Sequence, residues 1–87
     1  MIEGKTKSGF EYSVEEAALD DYELLEVLCA IDAGEYQRLP EMVDLLLSKE
    51  QKEALKKHVS VNGRPSAKQM IAEVMEIFKG ARAGKNS

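Results

Sequence analysis

The side chains that could do chemistry are few. His58 is the only histidine and Cys29 the only cysteine among the 87 residues. A metal centre or a histidine-activated nucleophile needs partner groups at matched spacing. His58 is flanked instead by Lys56 and Lys57 near a helix C-terminus, which reads as a capping or solvent-facing group. Cys29 falls one turn beyond Leu25, with no basic residue close in sequence to make it reactive, and reads as a small buried hydrophobe. Asp20, Asp21, Glu23 and Glu26 form an acidic cluster, but they lack the glycine-containing loop and alternating ligands of a calcium site. They read as a solvated helix start. Gly80 and Gly84-Lys85 have neither the full spacing nor the preceding strand of a phosphate loop. Without a catalytic constellation the chain reads as a non-enzyme, with no cofactor and no metal.

Charge is organised more strongly than chemistry. Between Glu11 and Leu47 there are eleven Asp or Glu against one basic residue, Arg38. Between Ser48 and Ser87 there are nine Lys or Arg against four Glu. Such a division suits self-association, for instance head to tail, or an oppositely charged partner. The net charge of −4 argues against a nucleic-acid binder. No apolar run reaches the length of a membrane span, and Met1 to Lys5 has no signal-peptide character. A single cysteine fits a reducing cytosol.

The elements expected to carry these residues make a mainly α domain: about four short helices and a small N-terminal β-hairpin. Phe10, Tyr12 and Val14 alternate with Glu11 and Ser13, which predicts a half-buried strand. Gly9 supplies its turn, and Ile2 to Thr6 the opposing strand. Glu15 to Leu19 can add one helical turn. Asp20 with Glu23 has capping-box spacing and opens a helix carrying Leu24, Leu25, Leu28 and Ile31, which Gly34 stops. Pro40 begins a second helix, apolar on nearly all sides through Met42, Val43, Leu45, Leu46 and Leu47, and therefore central or covered by a partner. Ser48 with Gln51 caps a polar third helix to about Val59, anchored by Leu55 and Val59, with Glu53 and Lys57 spaced as an ion pair. Asn62-Gly63-Arg64-Pro65 is a turn by composition. Ser66 with Gln69 caps a fourth helix whose apolar face carries Met70, Ile71, Val74, Ile77 and Phe78, and which Gly80 ends. Residues 1–80 thus make one domain and residues 81–87 a flexible tail. Met42, Met70 and Met75 suit either core filling or an adaptable binding surface.

The order of these pieces resembles the small tail assembly chaperones of long-tailed phages and prophages of Gram-positive bacteria. The resemblance covers roughly residues 5 to 79. It is carried by the hairpin Thr6-Lys7-Ser8-Gly9-Phe10-Glu11-Tyr12, the acidic opening Asp20-Asp21-Tyr22-Glu23-Leu24-Leu25-Glu26, the apolar helix from Leu39-Pro40 to Leu45-Leu46-Leu47, Glu50-Gln51, and the Ser66-capped helix closing Glu76-Ile77-Phe78. It implies a non-enzymatic factor of the host cytoplasm, absent from the mature virion. Such a factor binds the tape measure protein, keeps it soluble and helps tail tube protein subunits polymerise around it. It also implies a second, longer product made by ribosomal frameshifting, for which Gly84-Lys85 could be encoded by a run of G and A.

A tape measure chain exposes amphipathic helices, so its chaperone needs apolar grooves between helices. The second and fourth helices offer them, through Leu45, Leu46, Met70, Val74, Met75 and Phe78. Two other readings stand beside this one. A small helical regulator, such as an antitoxin or DNA-associated protein, would set Lys49, Lys52, Lys56, Lys57, Arg64 and Lys68 against nucleic acid. A structural virion component would stay in the particle.

Overall fold

The computed structural model describes residues 1–85, and among them the chain is mainly helical with an antiparallel hairpin at its N-terminus. Strands β1 (Ile2–Lys5) and β2 (Glu11–Val14) are followed by helices α1 (Glu16–Leu19) and α2 (Tyr22–Asp32). A 3₁₀ turn (Tyr36–Arg38) leads into α3 (Leu39–Leu46) and α4 (Lys49–His58). A two-residue hairpin, β3 (Ser60–Val61) and β4 (Arg64–Pro65), then precedes the long α5 (Ala67–Lys85).

The first hairpin forms as its alternation predicts. Ile2 pairs with Val14 and Lys5 with Glu11, and Phe10, Tyr12 and Val14 are buried while Glu11 faces out. Gly9 takes φ 98°, a conformation that a side chain would strain. A two-stranded hairpin is marginal alone. Here it lies on α5, and Tyr12 shows how closely. A Cβ on Gly80 would stand 2.5 Å from the Tyr12 hydroxyl, and a Cβ on Gly4 would collide with the same ring. Gly84, one turn further, meets Ile2. The expected end of the last helix at Gly80 is therefore corrected. Gly80 is there to let the hairpin approach, and the helix continues to Lys85. Ala81, placed in the expected tail, is fully buried in the core. Residues 86 and 87 of that tail lie outside the described residues.

Helix ends follow local chemistry, with shifts. Asp21, not Asp20, caps α2, accepting from the Glu23 N–H at 2.9 Å. Asp20 instead closes α1. Gly34 (φ 100°) ends α2 with Glu35 N–H to Ala30 O and Gly34 N–H to Ile31 O, the paired bonds of a Schellman motif. Pro40 sits in the second position of α3 rather than the first, still where no donor is needed. Ser48 and Ser66 cap α4 and α5 through Gln51 N–H and Gln69 N–H. Gln51 does not close its capping box. Its amide turns to β2, accepting from Ser13 N–H at 3.0 Å and donating to Ser13 O at 2.8 Å, as a neighbouring strand would. Asn62 (φ 53°) and Gly63 (φ 82°) make the turn of the β3–β4 hairpin, where composition predicted a turn without strands.

The core gathers Leu24, Val27 and Ile31 of α2, Met42, Val43 and Leu46 of α3, Leu55 of α4, and Val74, Ile77 and Phe78 of α5 around the hairpin's buried face. The apolar α3 is central, as its composition requires. Two expectations fail on α2. Val27 replaces Leu25 on the buried stripe, and Cys29 is exposed rather than buried. Positions 24, 27 and 31 recur at helical spacing, which turns 25 and 29 outward. Glu53 pairs with Lys56 at 3.7 Å rather than with Lys57.

Candidate functional site

Two different kinds of site surround α5. The first is polar and runs from the buried Glu73 and Thr6 out to the exposed Ser8 and His58. Glu73 sits on the apolar face of α5 between Met70 and Ile77, and it is the one charged side chain in the buried set. Its Oε1 accepts from Thr6 Oγ1 and from Ser8 Oγ, both at 2.8 Å. Thr6 also accepts from the Phe10 N–H, while the next acid on the helix, Glu76, accepts from the Lys7 N–H at 2.7 Å. The turn of the first hairpin is thus clamped to α5 by two carboxylates one turn apart.

His58 joins this network from the end of α4. Its Nε2 lies 2.9 Å from Ser8 Oγ, and its ring packs against Phe10 with centroids 5.4 Å apart. Serine, histidine and carboxylate are therefore in contact, but in the wrong order for nucleophilic catalysis. An activating histidine takes the serine proton and is itself held by the acid. Ser8 gives its single proton to Glu73, so the His58 Nε2 must donate to Ser8. The hydroxyl is a bridge between two groups, held inside a turn. Arranged this way the network fastens β1–β2 to α4 and α5.

The second kind of site is open, with apolar walls and charged rims. Between α2 and the C-terminal half of α5 lie two recesses of about 410 and 320 Å³. Both include Phe78 and Arg82, so they are two ends of one groove. Tyr22, Leu25 and Leu28 form its α2 wall, and Met75 and Phe78 its α5 wall. Asp20, Asp21 and Asp32 rim one side, Lys79 and Arg82 the other. The Arg82 guanidinium stands 5.7 Å from the centre of the Phe78 ring, which keeps the cation over the groove floor. Tyr22 and Leu25 are 69% and 44% exposed, a large apolar investment in solvent for so small a domain.

A further pocket of about 390 Å³ opens where α3, α4 and the start of α5 meet. Leu39, Pro40, Val43 and Met70 line it, with Lys52 and Lys56 at the rim. Asp44 holds Lys52 at 2.7 Å, and this hydrogen bond, followed by the charge attraction of Asp44, raises the Lys52 pKa above its ordinary value.

The six residues expected to line a groove are thus divided. Met75 lines the α2–α5 groove, Phe78 is a core residue, 4% exposed, that reaches the groove floor, and Met70 is in the α3–α4–α5 pocket. Leu46 and Val74 are buried core residues, and Leu45 is half-buried against the core. The expected groove between the second and fourth helices exists only at the Met70 end. Tyr22, Leu25 and Leu28 were missed as its α2 counterpart. Leu25 carried the signal, being a leucine off the 24, 27, 31 stripe. Glu73 carried one too, as a charge on an otherwise apolar helix face. Among the described residues no cluster of His, Cys, Asp or Glu could hold a metal ion, and no helix is long and apolar enough to cross a membrane. Comparison with protein-family models, curated proteins and solved structures finds no match to this chain.

Proposed function

We propose that this chain is a non-enzymatic tail assembly chaperone of a long-tailed phage or prophage. It binds the tape measure protein in the host cytoplasm, keeps it soluble and promotes assembly of tail tube protein around it, and it leaves before the virion is complete. The reading starts from the resemblance of residues 5 to 79. One structural observation supports it above the others: the open groove between α2 and α5, floored by Phe78 and Met75 and walled by the exposed Tyr22 and Leu25. A groove between two helices with apolar walls accepts the apolar face of a third helix. Its acidic rim on α2 and basic rim on α5 would orient a helix carrying both signs, which gives direction as well as affinity. Phe78 and Met75 supply a rigid and an adaptable contact side by side.

Co-expression with the tape measure protein of the same phage tests the proposal. Soluble tape measure protein that co-purifies with the chain, and is lost with Leu25→Asp, is the expected result. Insoluble tape measure protein beside a folded chain would overturn it. In that case, binding of DNA with a steep salt dependence would favour the regulator, and presence in purified particles the structural component.

A further inference from the structure

The groove between α2 and α5 carries both halves of a contact. Asp21, Tyr22 and Leu25 share one of its recesses with Phe78 and Arg82. Leu28 and Asp32 share the other with Met75 and Lys79, so the two helices run antiparallel along the groove. The α2 wall stands out, with Tyr22 and Leu25 in solvent, and the α5 wall is set back, with Met75 half-buried and Phe78 buried. All the acid, Asp20, Asp21 and Asp32, is on the α2 side, and all the base, Lys79 and Arg82, is on the α5 side. None of these five charges is in an ion pair within the chain.

A face of this kind is complementary to itself. Two copies meet isologously about a two-fold axis lying in the plane of contact. An axis across the helices would set α2 on α2, acid against acid, which is repulsive. An axis along the groove sets each α2 on the other copy's α5. Tyr22 and Leu25 then stand over Phe78, and Leu28 over Met75. Asp21 faces Arg82 and Asp32 faces Lys79, each pair formed twice. All four helices are antiparallel to their neighbours, as in a four-helix bundle. Charge therefore selects the arrangement that also covers the exposed apolar wall.

We propose that in the free protein a second copy of this chain occupies the α2–α5 groove, each protomer's α2 lying on the other's α5. The charge division of the chain serves a closed dimer here, not the head-to-tail series that its sequence also allows. The dimer is a property of the chain alone. One consequence rests on the chaperone reading: the dimer covers the surface proposed for the tape measure protein, so the copies must separate before it binds, and the groove is open at concentrations below the dimer Kd.

Sedimentation of the full chain, without tape measure protein, over a range of concentrations and salt is the test. The expected result is a monomer–dimer equilibrium that weakens with salt. Tyr22→Ser should raise the dimer Kd by about tenfold or more, since an aromatic anchor dominates such a contact. Asp32→Lys and Lys79→Asp should each weaken the dimer, because each sets like charges together twice. An equimolar mixture of these two variants should dimerise again, because in the mixed dimer every one of those charges meets its opposite. All three positions are exposed, and circular dichroism checks that each variant is folded. A monomer at the highest soluble concentration would overturn the proposal and leave the chaperone reading standing. An open series of oligomers would also overturn it, as would a dimer indifferent to Tyr22→Ser, or a mixture no tighter than either variant alone. A monomer that takes up tape measure protein along this groove would assign the groove to that partner alone.

Discussion

The two sides of α5 solve opposite problems. On the side facing the hairpin, every approach is tight: Gly80 admits the Tyr12 hydroxyl, and Glu73 and Glu76 hold the turn from Thr6 to Ser8. On the side facing α2, the helices part around Phe78 and leave Tyr22 and Leu25 in solvent. A buried carboxylate is costly unless its partners are in place, so the first side tolerates one arrangement only. The groove, whose charged groups lie at its solvent-facing rim, has no such demand. The difference teaches that the hairpin is the scaffold that fixes α5, and that the groove beyond it is available for binding.

Replacing Glu73 should have the largest effect on this contrast. Glu73→Leu leaves the hydroxyls of Thr6 and Ser8 without their acceptor and should cost about 3 kcal/mol in urea unfolding. Glu73→Gln keeps an acceptor and should cost about 1 kcal/mol. Equal losses for the two would mean that the packing, not the hydrogen bonds, fixes the turn. Gly80→Ala comes next. At an exposed helix position the change gains about 1 kcal/mol, but here the added methyl meets Tyr12 and should cost about 1–2 kcal/mol. Combining it with Tyr12→Phe, which removes the atom 2.5 Å from the new Cβ, should recover much of the loss attributable to the clash. Leu25→Asp, on the other side, should change stability by less than about 0.5 kcal/mol while abolishing the proposed capture of the tape measure protein. Leu46→Asp would not serve as a groove probe, because Leu46 is core and its loss would unfold the domain.

The smallest effect is expected at Asp44. Asp44→Ala removes the acceptor and the charge that raise the Lys52 pKa, which should fall back toward its ordinary 10.5 in an NMR titration of the side chain. The sign follows from linkage: a lysine raised by its partner adds stability below its ordinary pKa, and that addition is lost as pH rises through the raised value. The variant and the parent should therefore converge in stability at alkaline pH.

Much of this architecture is legible in the sequence because it is local. The alternation of Phe10, Tyr12 and Val14, the caps at Ser48 and Ser66, and the stop at Gly34 each depend on a few adjacent residues. What was misread depends on distant ones. Gly80 looks like a helix stop until Tyr12, far away in the chain, is placed against it. Asp20 has the capping-box spacing to Glu23, but the formation of α1 makes Asp20 that helix's C-cap and leaves Asp21 to cap α2. Cys29 and Leu25 face outward because Val27 completes the buried stripe. Groove and core residues are chemically alike, so core Leu46 and groove-lining Met75 could not be separated until α2 and α3 were packed on α5.

Hydrogen–deuterium exchange on the chain, alone and mixed with its proposed partner, the tape measure protein, tests the division of labour most directly. The account predicts new protection over residues 22–29 and 75–82, with the turn from Thr6 to Phe10 already protected and unchanged. Protection gained at that turn, with residues 22–29 left as they were, would contradict it.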